Sequence, residues 1–392
     1  MRSLTLCLLL AVVSLQVQSR PVGHLEDSLR KEAVALVSEY DLPGMTVAFV
    51  LADGSLSEIA VGMADCETGA AMVPGSRMLA ASIGKTFVGA TAVCLAEEGR
   101  VDLDAPISDY LEKREWFSRL PSGSQITLRH LLTHRSGLAD HVKLASFSQG
   151  LRERWPMEGP AFTGEELVGF VLDTRPLFAP GKDWSYSDTG FVLAGMILEE
   201  VCDRTLYEEV AERFLEPLQL AHTSPSNSRW LPGLVPGYTL RDNPFGFPRK
   251  SVACNGHLHW HPGVEDFGGG WVSSAGDLAR WGHHLYHGNI LPEAAQAEML
   301  KTYPIPASGG TAGYGIAVSR RRTDGLGPTY GHGGWIPGYV SSLRYYSEHG
   351  LTVAFQVNSD AVEAADWMQA SERRLALSIL SSDHQTGKTD DE

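Results

Sequence analysis

Two groups of β-forming segments stand at opposite ends of this chain, with a long stretch of different character between them. Near the start, Met45 to Leu51 and Leu56 to Met63 are apolar and β-like, and Asp53-Gly54 between them is a hairpin signal. Near the end, Gly313 to Arg320, Val340 to Tyr346 and Leu351 to Val357 read as three further strands. From Gly99 to about Pro304 the chain is mostly helical patterning broken by Pro- and Gly-rich loops. Leu25, Leu29, Ala33, Leu36, Val37 and Tyr40 recur at helical spacing ahead of the first strands, and Ala361 to Leu380 forms an amphipathic helix after the last. The pattern predicts an α+β fold: one antiparallel sheet assembled from both ends, flanked by terminal helices, with an all-helical lobe inserted. In residue terms, 20–78 and 305–380 form a discontinuous α/β lobe, 79–304 a mainly helical lobe, and 381–392 a flexible acidic tail.

The 392 residues suffice for one large two-lobed unit, and a hydrophobic content of 43% is ordinary for a globular protein. A formal net charge of −15 argues against nucleic acid as a partner, because phosphate binding needs a concentrated positive surface. Arg2 followed by the apolar run Leu4 to Val13, with compact residues at Val17-Gln18-Ser19, reads as a secretory signal over residues 1–19. No other run is long and apolar enough for a membrane span. A secreted or periplasmic protein is expected. Cys66, Cys94, Cys202 and Cys254 are too sparse for a disulfide scaffold, and their pairing stays open.

Three segments carry residues suited to acyl transfer. Ala80 to Gly99 reads as one helix with Ser82 in its first turn and Lys85 three residues on, hence on the same face. A serine hydroxyl needs a nearby base, and a lysine one turn away can supply it. Tyr186 and Asp188 lie in Trp184-Ser185-Tyr186-Ser187-Asp188-Thr189-Gly190, ahead of a helix from about Phe191 to Val201. A tyrosine there can carry a proton if a cation lowers its pKa, or it can simply pack beside an Asp188 helix cap. Tyr330-Gly331-His332-Gly333-Gly334-Trp335-Ile336-Pro337-Gly338 is crowded with glycine. Its backbone can approach a ligand and aim amides at an oxyanion, or it can be a bulged edge strand.

In order and separation the three segments resemble those of the serine β-lactamase and penicillin-binding-protein superfamily. The likeness is to its class C-like branch: class C β-lactamases, D-alanyl-D-alanine carboxypeptidases, D-aminopeptidases and family VIII esterases. Leu131-Leu132-Thr133-His134-Arg135-Ser136-Gly137-Leu138 and Gly269-Gly270-Trp271-Val272-Ser273-Ser274-Ala275-Gly276-Asp277-Leu278 resemble two further segments of that family, so the likeness runs from about Leu25 to Leu380. It implies Ser82 as the acylated nucleophile, Lys85 as its activating partner, and Tyr186 as general base or proton shuttle. It also implies His332 in the place of the third motif's Lys or His, and the backbone N–H groups of Ser82 and Trp335 as an oxyanion hole. Gly333 and Gly334 would border the substrate. The family acts on esters or amides, as small molecules or peptides, without metal or organic cofactor.

Asp188 departs from the family's usual asparagine. An ionised aspartate accepts hydrogen bonds and donates none. Esters, or amides bearing a free amine, are therefore expected to be better substrates than β-lactams. A β-lactamase, or a catalytically dead relative that binds peptidoglycan fragments, is the alternative. His257, His259 and His261 lack the metallo-hydrolase pattern, no Gly-x-Ser-x-Gly or His-Glu-x-x-His motif occurs, and Arg320-Arg321-Arg322 reads as a solvated strand end or a carboxylate site.

Overall fold

A run of seven residues that is buried at every position, Gly44–Val50, must have both faces covered. The computed structural model, which describes residues 22–154, 162–239, 243, 245–362 and 365–386, shows how. The signal expected over residues 1–19 and residues 387–392 of the tail lie outside the described residues. In chain order the strands are β1 (Gly44–Val50), β2 (Leu56–Asp65), β3 (Ala70–Ala71), β4 (Met78–Leu79), β5 (Ser224–Pro225) and β6 (Trp271–Ser273). They continue with β7 (Tyr303–Pro304), β8 (Ala312–Tyr314), β9 (Ser319–Thr323), β10 (Gly327–Ile336), β11 (Tyr339–Tyr346) and β12 (Leu351–Val357). The helices that matter below are α1 (Gly23–Glu39), α2 (Lys85–Glu97), α3 (Asp188–Cys202), α4 (Ala275–His287) and α5 (Ala365–Thr386).

Nine strands form one antiparallel sheet in the order β3-β2-β1-β12-β11-β10-β9-β8-β7. The two ends of the chain meet at the β1–β12 pair, where Val47 lies opposite Phe355 and Phe49 opposite Val353. Side chains alternate across a strand. Val47 and Phe49 therefore join Leu25, Leu29, Leu36, Leu375 and Ile379 from α1 and α5 on one face. Ala48 and Val50 join Leu278, Trp281 and Leu285 of α4 on the other. Each large apolar side chain so buried contributes about 1.5–3 kcal/mol. Among the described residues no helix is long and apolar enough to cross a membrane, and Cys66, Cys94, Cys202 and Cys254 are all free thiols.

Two details correct the sequence reading. The strand expected from Gly313 to Arg320 is broken. After Tyr314 the chain turns back, with Gly315 N–H donating to Val318 O at 2.8 Å and Ala317 at φ +56°. The excursion docks on the helical region, where Ala317 N–H donates to Leu132 O at 3.0 Å. A second sheet, β4-β6-β5, was not anticipated, because its strands have only two or three residues each. It ties the entrance of the Ser82 segment to the Gly269-Gly270 segment, extended by Ala80 N–H donating to Trp271 O at 2.9 Å.

Candidate active site

Ser82 sits on a 3₁₀ turn, Ala81–Gly84, that runs directly into α2, so the single helix expected there starts with a tighter turn. Ala81 holds φ +49°, a left-handed conformation that costs a non-glycine residue free energy and recurs at functional sites. Gly84 is needed for close approach: a Cβ there would lie 1.9 Å from Gly269 O. From the other side, Trp281 of α4 donates to Thr86 Oγ1 at 2.8 Å and stacks on Phe87 at 4.4 Å.

Lys85 is fully buried, and its ammonium is surrounded by acceptors. It donates to Ser82 Oγ at 2.9 Å and to Gly268 O, and it lies 2.5 Å from Asp188 Oδ1 in an ion pair. It also stands 5.0 Å from the centre of the Tyr186 ring. Asp188 thus faces the same site as Lys85, as the sequence suggested. It is not the helix cap: α3 begins at Asp188 itself, with Ser187 as the preceding residue and no side-chain cap.

Tyr186 requires a correction. Lys85 was expected to lower its pKa, but burial, reinforced by the charge of Asp188, pushes the phenol well above its ordinary value, with interaction with Ser82 pulling the other way. The resting tyrosine is a protonated donor. Its ring packs at 4.1 Å on the buried imidazole of His134, whose Nδ1 accepts from Ser187 N–H at 3.2 Å. Burial, with Lys85 second, holds His134 neutral.

His332 lies in β10 with its ring 6.2 Å from that of Tyr186. Nδ1 meets Gly333 O at 2.6 Å, which makes it the protonated nitrogen, and Nε2 accepts from Tyr314 O–H at 2.8 Å. Burial, followed by the Lys85 charge, lowers its pKa to about 3. The third motif therefore presents a neutral imidazole. Pairing of β10 with β9 ends at Gly331, and the strand beyond it runs against the Ser82 turn. Gly334 is so close that a Cβ would fall 2.3 Å from Ala80 O, and Ser341 Oγ donates to the same oxygen at 2.7 Å. Trp335 lines a cleft together with Ser82. Gly333 lies beside Met368 instead, and neither it nor Gly334 borders that cleft.

The cleft offers about 580 Å³ of space, part of it open to solvent. Phe147, Phe245, Phe247, Trp260, Ile336 and Pro337 are among its apolar walls, and Ser82, Asp188, His141 and Glu265 are its polar side chains. Sequence reasoning missed Glu265, His141 and Tyr314. None stands in a spaced motif; His141 follows the Leu131–Leu138 segment closely, and that proximity was its one available signal. Of the arginine run, Arg321 pairs with the buried Glu372 at 3.0 Å, where it serves the sheet and α5. His261 caps the 3₁₀ turn Pro262–Gly268 by accepting from Gly263 N–H. Among the described residues no cluster of three metal-ligating side chains occurs.

Comparison with known proteins agrees with this geometry. The profile of the family described as Beta-lactamase matches residues 28–377. Penicillin-binding protein 4* of Bacillus subtilis (strain 168) is 24% identical over 301 residues, covering 74% of this chain and 62% of the relative. A D-aminopeptidase of Brucella anthropi is 28% identical over 326 residues, covering 81% of this chain and 56% of the relative. The chain thus spans somewhat over half the length of these curated relatives. Among solved structures, a D-stereospecific amidohydrolase from Streptomyces sp. superposes with a TM-score of 0.74 at 25% identity, covering 90% of this chain and 97% of the other. The match over nearly the whole described chain places this protein, in which Lys85 lies between Ser82 and the ring of Tyr186, in the Beta-lactamase family.

Proposed function

We propose that the protein is a serine hydrolase that cleaves amides or esters through an acyl-enzyme on Ser82, with amine-bearing acyl groups as its preferred substrates. The observation that carries this reading is the buried Lys85 ammonium held between Ser82 Oγ at 2.9 Å and Asp188 Oδ1 at 2.5 Å. As Ser82 Oγ bonds to the substrate carbonyl carbon, its proton passes to Lys85, which gives one of its own to Asp188. The backbone N–H groups of Ser82 and Trp335 receive the oxyanion, since both residues border the cleft. Tyr186, protonated at rest, gives its proton to the leaving nitrogen or oxygen and recovers one through Lys85 from Asp188. Water then repeats the sequence on the acyl-enzyme. The D-aminopeptidase and D-stereospecific amidohydrolase names of two relatives support amide substrates over β-lactams.

A panel of amino acid p-nitroanilides with free and N-acetylated amines, short-chain p-nitrophenyl esters and nitrocefin tests this on one purified sample. Turnover of the esters and free-amine anilides is expected to exceed that of nitrocefin. Ser82→Ala should lower it at least about a thousandfold with folding retained. A Ser82→Ala protein of near wild-type activity would overturn the assignment.

A further inference from the structure

Two buried side-chain acceptors that have no donor among the described residues, on Glu265 and His141, line the cleft beside Ser82 together with the Lys85-paired carboxylate of Asp188. Glu265 Oε2 is inaccessible to solvent and has no hydrogen-bond partner among the described residues. His141 is buried, and the state of its ring follows from its neighbours. Thr189 Oγ1 donates to Ala139 O and accepts from His141 N–H, so the His141 Nδ1 that faces it at 3.0 Å must be the donor. Nε2 is left with a lone pair and without a partner among the described residues. Asp188 is the third acceptor, and Lys85 balances its charge. Glu265 has no cationic partner of its own among the described residues.

A primary ammonium has three N–H donors and one positive charge. We propose that Asp188, Glu265 and His141 form an ammonium-binding subsite, so that the enzyme selects acyl groups carrying a free primary amine and a bulky apolar, preferably aromatic, side chain. The side chain fills the cleft between Phe147, Phe245, Phe247 and Trp260. The inference rests on the Ser82 hydrolase reading only in placing the amine on the acyl side of the scissile bond. Glu265 is a specificity residue in this scheme and takes no part in bond breaking.

The groups facing Glu265 are Lys85 from α2, Asp188 and Tyr186 at the head of α3, and Tyr207 from the helix Leu206–Val210. Burial, opposed by Lys85 and aided by Asp188, leaves the Glu265 carboxyl raised to about 8. A bound cation favours the ionised form, so amine affinity rises with pH towards that value.

Trp260 and Trp335 border the cleft and report binding by fluorescence without catalysis. In Ser82→Ala protein, phenethylamine and 2-phenylethanol differ in little but the ammonium. The amine is expected to bind at least about tenfold more tightly than the alcohol, and Glu265→Gln should abolish most of that preference, the scale of a charged hydrogen bond. Glu265→Asp, which keeps the charge with a shorter reach, should fall between and serves if the glutamine variant does not fold. Equal affinities for amine and alcohol, or a preference unchanged in both variants, would overturn the subsite. Wild-type protein that prefers the amine but never forms an acyl-enzyme would overturn the hydrolase reading alone.

Discussion

Asp188→Asn is the substitution that tests what a carboxylate contributes to this site. Removing the charge leaves Lys85 without its ion-pair partner and places an amide donor in the cleft. The substitution also removes the acceptor of the Lys85 proton, so kcat should fall on every substrate, and kcat/KM on amine-bearing substrates should fall by about ten- to a hundredfold more than on nitrocefin or N-acylated anilides. An unchanged substrate ranking would remove Asp188 from recognition. Tyr314 acts one step further back, as a positioning residue for His332 through the 2.8 Å hydrogen bond to Nε2. Tyr314→Phe leaves that nitrogen without its donor at a cost of about 1–3 kcal/mol. Loss of a donor to the neutral ring also favours its protonation, so the acid limb of the pH–kcat profile should move to higher pH. A profile that does not move, with stability alone reduced, would make the contact purely structural.

At the scale of elements, the Ser82 turn is held by close backbone approaches that no larger residue permits. Gly84→Ala would drive a Cβ into Gly269 O, a backbone atom. A loss of about 1–3 kcal/mol in chemical denaturation is expected, with kcat falling because the turn that aims Ser82 must shift. Gly169→Ala meets nothing within 4 Å and serves as the comparison, neutral or slightly stabilising. Equal behaviour of the two variants would contradict the packing account. The same contrast explains what the sequence made legible. Long elements with strong periodicity, such as α1, β1, β2, β11 and β12, stand where their patterns put them. Short strands β4, β5 and β6 carry too few residues for any pattern. The break at Gly315–Val318 follows from docking on Leu132, a contact remote in sequence. Ser82, Lys85, Tyr186 and His332 were singled out because the order and separation of their three segments resemble the family's, and the structure brings the four near one another. Glu265 was not, because its role depends on where the Pro262–Gly268 turn lies against α2 and α3.

For the whole molecule, the buried titratable groups set opposing limbs of stability against pH. His141 and His283 lie near pKa 4 and His332 near 3, lowered chiefly by burial. The unfolded chain binds protons there that the folded one does not, so stability rises with pH up to about 6.5. Glu265 and Asp266, pushed up by burial to about 8 and about 7, hold protons in the fold that the unfolded chain has released above about 4.5. Between about pH 6.5 and 8 these acids alone remain, and stability falls. Thermal melting across pH 4 to 9 should therefore peak near 6.5, and Glu265→Gln should flatten the upper limb; an upper limb of unchanged slope would contradict the burial assigned to this carboxyl. The central claim is chemical, and intact mass tests it most directly. After incubation with a serine-reactive acyl probe, wild-type protein is predicted to gain the mass of one acyl group, mapped to Ser82, and Ser82→Ala protein none. No adduct on the wild type, or an equal adduct on Ser82→Ala, would contradict the account.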